Sequence, residues 1–335
     1  MKKALVLGGG GFIGGHLVNR LVRRGFWVRS VDLKPHAYSA NPNEFLQGDL
    51  TDKSFMETSV RVPGSSFDEI YQLAADMGGA GYIFTGENDA NLMFNSTTVN
   101  LNLLDCLGKV HTKNTEQNPK VFFSSSACIY PEERQSNVYN LGLKEEHAYP
   151  ANPDSDYGWE KLYSERLFLA FSRNYGIQVR VGRFHNVYGP EGTWKGGREK
   201  APAAICRKVA MAKDYDTIEI WGDGKQTRSF LFIDDCLAAV DALMNSNFEG
   251  PINIGSEDSI SINELVSLAS SFENKKIEIK HIPGPLGVRG RNSDNSLFRE
   301  KLGIEHQVSL AEGLQRTYNW IKKEIESESL LNNSQ

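Results

Sequence analysis

Little in this sequence points to a stapled, membrane-bound or nucleic-acid-binding chain. Its four cysteines, Cys106, Cys128, Cys206 and Cys236, are scattered through 335 residues with no CxxC pair and no metal-ligand spacing. A disulfide frame and a metal centre are therefore not expected, and free thiols of a reducing, cytoplasmic setting are. No apolar run approaches the roughly 18 residues that span a bilayer. The N-terminal lysines and the short apolar stretch after them begin like a secretory signal. That stretch runs straight into glycines with no cleavage-type ending, which excludes the reading. Basic residues are not in excess: 37 Lys and Arg against 42 Asp and Glu leave a net charge of −5. The broad positive field that phosphate neutralisation needs is missing, so nucleic acid is not an expected partner. What is present is the balance of a folded chain, 40% hydrophobic and 24% charged, with 31 glycines. At roughly 100–200 residues per domain, the length suits one large α/β domain, or a large one with a smaller companion.

Strand and helix patterns alternate through the first third. Lys3–Leu7 reads as a strand broken by Gly8 to Gly11. Phe12, Ile13, Leu17, Leu21 and Val22 then follow helical spacing to a stop at Gly25. Trp27–Val31 reads as a strand ending in Asp32, with further strands at Glu44–Gln47, Glu69–Leu73, Val121–Ser124 and Gln178–Gly182. Helices are expected at Ser54–Val60 and Ala90–Cys106. Asn152-Pro153 reads as a cap and first-turn proline opening a helix to about Tyr175. This alternation implies an α/β fold, a Rossmann-type doubly wound parallel sheet covered on both faces. After Gly189-Pro190 the pieces shorten. They comprise a glycine-rich, exposed-looking loop at Gly192–Gly197, a helix near Ala203–Ala212, a strand at Thr217–Trp221 and a Gly222-Asp223-Gly224 turn. A strand at Ser229–Ile233 that could return to the first sheet follows, then a helix near Asp234–Met244. Residues from about Ser327 are polar and expected to fray.

Gly8, Gly11 and Gly14 stand at three-residue intervals between a strand and a helix that opens with Phe12 and Ile13. Residues without Cβ let backbone N–H groups approach a pyrophosphate at a helix N-terminus. Asp32 ends the next strand, where a carboxylate accepts both ribose hydroxyls and repels a 2′-phosphate, so NAD is expected rather than NADP. Asp49 and Leu50, after the third strand, suit the adenine rim. Downstream, Tyr157 and Lys161 are four apart on one helix face. A tyrosine with an unperturbed pKa of about 10 is a poor base, but a cation one turn away favours the phenolate, which can take a proton from a hydroxyl. The Ser124–Ser126 cluster at a strand end can bring a hydroxyl to the same place.

The motifs GGGGFIGGHL, Asp32, Leu73–Asp76 (LAAD), SSSACIY, YGWEK and RFHNVYGP resemble the extended short-chain dehydrogenase/reductases that act on nucleotide sugars, over nearly the whole chain. Within that family, five segments are similar to the branch that epimerises GDP-mannose: Ala74–Gly79, Ser125–Pro131, Gly182–Ala204, Trp221–Phe230 and His281–Asn295. The resemblance implies a transient C4 oxidation, inversion at C3 and C5, and re-reduction, turning GDP-D-mannose into GDP-L-galactose, with GDP-L-gulose as a further product. It implies Ser126, Cys128, Tyr157, Lys161 and Lys200 as the catalytic set, with Cys128 and Lys200 exchanging protons with the sugar. Leu73, Ala74 and Ala75 join the cofactor contacts. Gly79, Ser126, Asn186, Glu199, Lys200, Lys208, Gln226, Arg228 and Arg291 would hold the nucleotide sugar, the arginines on its diphosphate. Arg289 reads as a surface residue, and a single His185 as structural. A Trp194–Gly197 loop could close over the sugar.

The related dehydratases carry an acidic pair where Ala127 and Cys128 stand here, so dehydration is not expected. The alternatives are a 4-epimerase or an epimerase of a related sugar nucleotide; a 4-epimerase needs only the cofactor, Tyr157, Lys161 and Ser126, and leaves Cys128 and Lys200 unexplained, while a non-turning NAD sensor has no need of all three of those side chains. The resemblance also implies a homodimer formed through two helices per subunit. It divides the chain into an NAD-binding domain of residues 1–182 with a returning segment near 226–252, a substrate domain of 183–225 and 253–325, and a flexible tail of 327–335.

Overall fold

The computed structural model describes residues 1–38, 40–110, 118–139, 142–284 and 287–332. Pro285 and Leu286, inside one of the resembling segments, and the last three residues of the tail lie outside the described residues. Its first part runs β1 (Lys3–Leu7), α1 (Phe12–Arg23), β2 (Trp27–Asp32), β3 (Glu44–Gln47), α2 (Lys53–Val60), β4 (Glu69–Gln72), α3 (Ala80–Ile83), α4 (Asp89–Val110), β5 (Lys120–Ser126), α5 (Asp156–Tyr175) and β6 (Gln178–Phe184). The second part runs β7 (Val187–Tyr188), α6 (Ala201–Met211), β8 (Thr217–Trp221), β9 (Thr227–Ser229), β10 (Leu231–Phe232), α7 (Ile233–Asn245), β11 (Ile252–Ile254), β12 (Ser259–Ser261), α8 (Ile262–Ser271), β13 (Glu278–Ile282), β14 (Gly290–Arg291), α9 (Ser296–Leu302) and α10 (Leu310–Asn332).

Seven strands form one parallel sheet in the order β11-β6-β5-β4-β1-β2-β3. The alternating side chains of β1 explain its two-sided cover. Ala4 and Val6 join the buried cluster that contains Leu17 and Leu21 of α1 and Leu237 and Val240 of α7. Leu5 and Leu7 join the cluster that contains Leu103 and Leu107 of α4 and Phe168 of α5. A parallel strand buried on both faces must be apolar along its whole length, and Ala4–Leu7 is. The chain reverses its direction of winding between β1 and β4, which opens a crevice at their carboxyl ends, the ligand side of such sheets.

Three expectations need correcting. Residues 229–233 do not form one strand of the large sheet: Thr227–Ser229 pairs with β12 and β14, and Leu231–Phe232 pairs with Val187–Tyr188. The strand that returns is Ile252–Ile254, beside β6. Asn152-Pro153 does not cap α5. The Asn152 amide goes to Glu133 and Pro153 bridges extended backbone at Pro131, so the helix opens three residues later on Ser155, whose hydroxyl accepts from Gly158 N at 3.2 Å. Ser327 does not begin a frayed end, because α10 continues to Asn332 and Glu328 forms an ion pair with Lys195.

Candidate active site

The glycine turn is built around close backbone approaches. A Cβ on Gly14 would lie 2.1 Å from Gly8 O, and one on Gly8, whose φ is +86°, would lie 2.7 Å from Ala74 N. One on Gly10 would meet Lys34 O at 2.1 Å and the Asp32 carboxyl carbon at 2.8 Å. Gly10 was not singled out from the sequence spacing, yet its N–H donates to Asp32 Oδ2 at 3.0 Å and ties the acidic residue to the turn. Gly11 is the N-cap of α1 with no side chain capping it, so the helix start of Phe12 and Ile13 faces the crevice without a protein side chain in that role. Leu73 N bonds Leu7 O, which holds Leu73, Ala74 and Ala75 alongside. Asp49 is exposed and accepts from Thr51, while Leu50 is buried and its carbonyl accepts from Asn102.

Across the crevice, β5 ends at Ser126, whose hydroxyl caps a short turn by accepting from Cys128 N at 3.2 Å. The Ser155 cap and a left-handed Gly176 bound α5, which holds Tyr157 and Lys161 buried on its inner face. Lys161 Nζ lies 5.1 Å from the Phe123 ring centroid, 5.6 Å from that of Tyr157 and 3.9 Å from Glu160 Oε2. Burial pushes the Tyr157 hydroxyl up, Cys128 and Glu160 add to this, and the hydrogen bond from Ser126 works against it. Burial also pushes the Lys161 ammonium down, opposed by Glu160 and Glu165.

Cys128, Tyr157, Ile83 and Leu92 form one small buried cluster. The Cys128 thiol is pushed up by burial and by Asp154, and Arg291 acts against both. Lys200 is the N-cap residue of α6; burial pushes its ammonium down while Cys128 and Cys236 pull it up. Gly79 packs on the Lys200 loop, its N–H bonding Arg198 O at 3.2 Å. The thiol, the phenol and the ammonium therefore share one electrostatic environment. Desolvation disfavours the charged form of both, moving the thiol up and the ammonium down.

The expected nucleotide-sugar residues spread outward from there. Asn186 adopts φ +41° and its amide donates to Ser229 O. Glu199 accepts from Arg207 and Gly197 N, and Lys208 donates to Glu219 O at 2.6 Å. Gln226 donates to Trp221 O, while its buried Oε1 has no partner among the described residues, an acceptor turned inward. Arg228 donates to the Thr227 and Val288 carbonyls; burial, with Arg291 close by, pushes its guanidinium down to about 9. Arg291 contacts Asp154, Gln135 and Cys128, so it stands at the thiol itself. The Gly192–Gly197 loop is largely exposed, as expected, with Gly196 and Gly197 at φ +94° and +86°, and the buried Trp194 anchors it. Arg289 pairs on the surface with Asp223.

Sequence reasoning missed the layer behind the site. Arg183 clasps Glu165 through two bonds of 2.9 and 2.8 Å, Ser125 donates to the same carboxylate, and Arg183 also donates to Tyr130 Oη. Tyr130 in turn donates to Asn253, which bonds His185. The signal was present only as polar residues inside apolar strand patterns at Ser125 and Arg183.

These features define a dinucleotide-dependent enzyme with a buried tyrosine and lysine on one helix face and a cysteine packed beside the tyrosine. Residues 4–255 match the family described as the NAD dependent epimerase/dehydratase family, and the chain belongs to that family. More particularly, it is 46% identical over 326 residues to the GDP-mannose 3,5-epimerase of Arabidopsis thaliana, covering 97% of this chain and 84% of that one. It is equally 46% identical over 323 residues to GDP-mannose 3,5-epimerase 1 of Oryza sativa subsp. indica, covering 96% and 82%. Identity to UDP-glucuronic acid decarboxylase 1 of Danio rerio is 26% over 339 residues, covering 98% of this chain and 74% of the relative. Among solved structures, a UDP-glucose 4-epimerase of Thermotoga maritima with UDP-glucose superposes with a TM-score of 0.80 at 28% identity, covering 96% and 99%. NAD is the cofactor of the chain. The residues present fit it: Gly8, Gly10 and Gly14 leave a cradle that a Cβ would fill, at the start of α1 and beside Asp32.

Proposed function

We infer that this chain epimerises GDP-D-mannose at C3 and C5 to give GDP-L-galactose, with GDP-L-gulose as a further product. The observation that carries this reading is the packing of Cys128 with Tyr157 in one buried cluster, with the half-buried Lys200 at the start of α6 close enough for the thiol to act on its charge. A 4-epimerase needs no such second acid–base set, and a dinucleotide sensor needs neither.

Held by the Gly8–Gly14 turn and Asp32, NAD would supply a reversible hydride acceptor for the sugar C4. Tyr157 takes the C4 hydroxyl proton, with the Ser126 hydrogen bond favouring its ionised form and Lys161 Nζ 5.6 Å from its ring, and gives a proton back at the end. Between those steps the C4 ketone acidifies the hydrogens on C3 and C5. Cys128 removes such a proton from one ring face and Lys200 supplies one from the other, inverting one centre; the thiol then loses its proton to solvent and the amine regains one from it before the second centre is inverted. The protons and hydride removed are all replaced, and the reaction is redox-neutral. Gly79, Asn186, Glu199, Lys208, Gln226 and Arg228 are assigned to the nucleotide sugar, with the buried acceptor of Gln226 as a supporting feature. Arg291 is assigned to the diphosphate through the two guanidinium N–H groups that its bonds to Gln135, Cys128 and Asp154 leave over.

Residues 183–225 and 253–325 serve as the substrate domain and 1–182 as the cofactor domain. The enzyme is a cytoplasmic homodimer, a reading supported by the exposed apolar side chains of α4 and α5, Phe94, Leu101, Trp159 and Tyr163. Among the described residues, no helix is long and apolar enough to cross a membrane. Cys128→Ser tests the chemistry: solvent deuterium exchange at C3 and C5 of the sugar is expected to vanish while NAD still binds. Undiminished exchange in that variant overturns the assignment of Cys128.

A further inference from the structure

Asp154 is a buried carboxylate that the mechanism above does not use. Its side chain is 1% exposed. Its backbone N–H donates to Cys128 O at 3.3 Å, and one carboxylate oxygen accepts from Ser155 Oγ at 2.8 Å. The other oxygen accepts from Arg291 Nη2. The same guanidinium donates through Nε to the buried Gln135, whose amide is fixed on the carbonyls of Tyr130 and Pro131. Its remaining edge, Nη1, donates to Cys128 Sγ at 3.3 Å. Two clamps therefore fix the plane of the guanidinium and set its Nη1 against the sulfur.

We propose that Asp154 is a positioning residue for the Cys128 base, acting through Arg291: it holds the guanidinium against the sulfur and cancels most of its charge there. The inference rests on the reading of Cys128 as the proton-abstracting group. A thiolate beside an uncompensated guanidinium forms easily but is a weak base, since basic strength falls with the proton affinity of the thiol. Abstraction of a carbon-bound proton needs the opposite. Asp154 supplies a carboxylate within the same buried cluster, so that thiolate formation stays possible and the base stays strong. The other charged or titratable groups facing the thiol are Arg228 on β9, Lys200 ahead of α6 and Tyr157 on α5.

Asp154→Asn keeps an oxygen for Arg291 and removes the charge. In the full-length, NAD-loaded enzyme without sugar, iodoacetamide labelling of the Cys128 peptide is followed by mass spectrometry against pH. The midpoint is expected to move towards acid by about one pH unit, a tenfold gain in thiolate at fixed pH. Exchange at C5 is expected to fall at saturating pH with the sugar KM little changed. A residue that only braced the fold would slow exchange without moving the midpoint, and an unmoved or alkaline-shifted midpoint overturns the proposal. Arg291→Gln decides the matter if the first variant does not bind NAD. It removes the cation and must move the midpoint towards alkali; no movement, or movement towards acid, refutes the arrangement. Labelling needs no turnover, so an unmoved midpoint in an enzyme that still inverts C3 and C5 sinks this proposal alone. A shifted midpoint in an enzyme whose product lacks those inversions sinks the functional reading alone.

Discussion

Replacing Gly10 by alanine isolates the coupling between the glycine turn and the acidic residue that reads the cofactor ribose. The added Cβ would sit 2.1 Å from the Lys34 carbonyl oxygen and 2.8 Å from the Asp32 carboxyl carbon. To reach an ordinary contact of 3.4 Å the Lys34 oxygen must retreat by about 1.3 Å, and that atom is backbone. Asp32 sits two residues earlier in the same segment, so its 3.0 Å bond from Gly10 N is lost with the retreat. Overpacking of this kind costs about 1–3 kcal/mol, and a hydrogen bond to a charged group is worth about 1.5–3 kcal/mol. If only the smaller share reaches the bound cofactor, NAD affinity falls by about tenfold. Titration calorimetry with NAD and urea unfolding of the free protein measure the two parts separately. Gly11→Ala is the control, because its Cβ meets nothing nearer than Gly8 O at 3.4 Å. Its urea midpoint should stay at the wild-type value, and any loss of NAD affinity there marks the turn's closest approach to the cofactor itself. A Gly10→Ala protein with wild-type NAD affinity and wild-type stability refutes the reasoning.

Two further outcomes follow from the structure. His185 is held neutral by burial, which pushes its imidazole down to about 3, with Arg291 and Arg183 adding to the effect and the Asn253 bond opposing it. An unfolded histidine takes up its proton near pH 6.5, so the stability tied to the neutral ring is whole above that pH and is lost as pH falls towards 3, by about 1.4 kcal/mol per unit. His185→Gln should flatten the fall in urea stability between pH 6.5 and 4 by that slope, and an identical slope in the variant contradicts the assignment. Phe94→Glu with Trp159→Glu places charge on the exposed faces of α4 and α5 and should convert a dimer to a monomer in sedimentation velocity. An unchanged sedimentation coefficient removes those helices from the interface.

The cofactor half of the site was legible because its signals are local. A strand, glycines without room for Cβ, a helix start and an acid at the next strand end all lie within Lys3–Asp32, and the sheet realises them in register. Tyr157 and Lys161 were legible for the same reason, as one turn of one helix. Strand ends were read short: β5 and β6 run on to Ser126 and Phe184, because their pairing continues past the apolar run into Ser125 and Arg183. Those two polar residues are satisfied by Glu165, a partner invisible in either strand's own pattern. Asp154 and Arg291 stand 137 positions apart, so no local pattern joins them. The Asn152-Pro153 signature failed because two long-range contacts, to Glu133 and Pro131, claim those residues ahead of the helix. Position within the fold, rather than residue type, gives these charges their work.

The most direct test of the account is NMR of the product formed from GDP-D-mannose and NAD in deuterated water. The account predicts GDP-L-galactose carrying deuterium at both C3 and C5, protium retained at C4, and no net reduction of NAD. A product inverted at C4 with no solvent deuterium at C3 or C5 contradicts it.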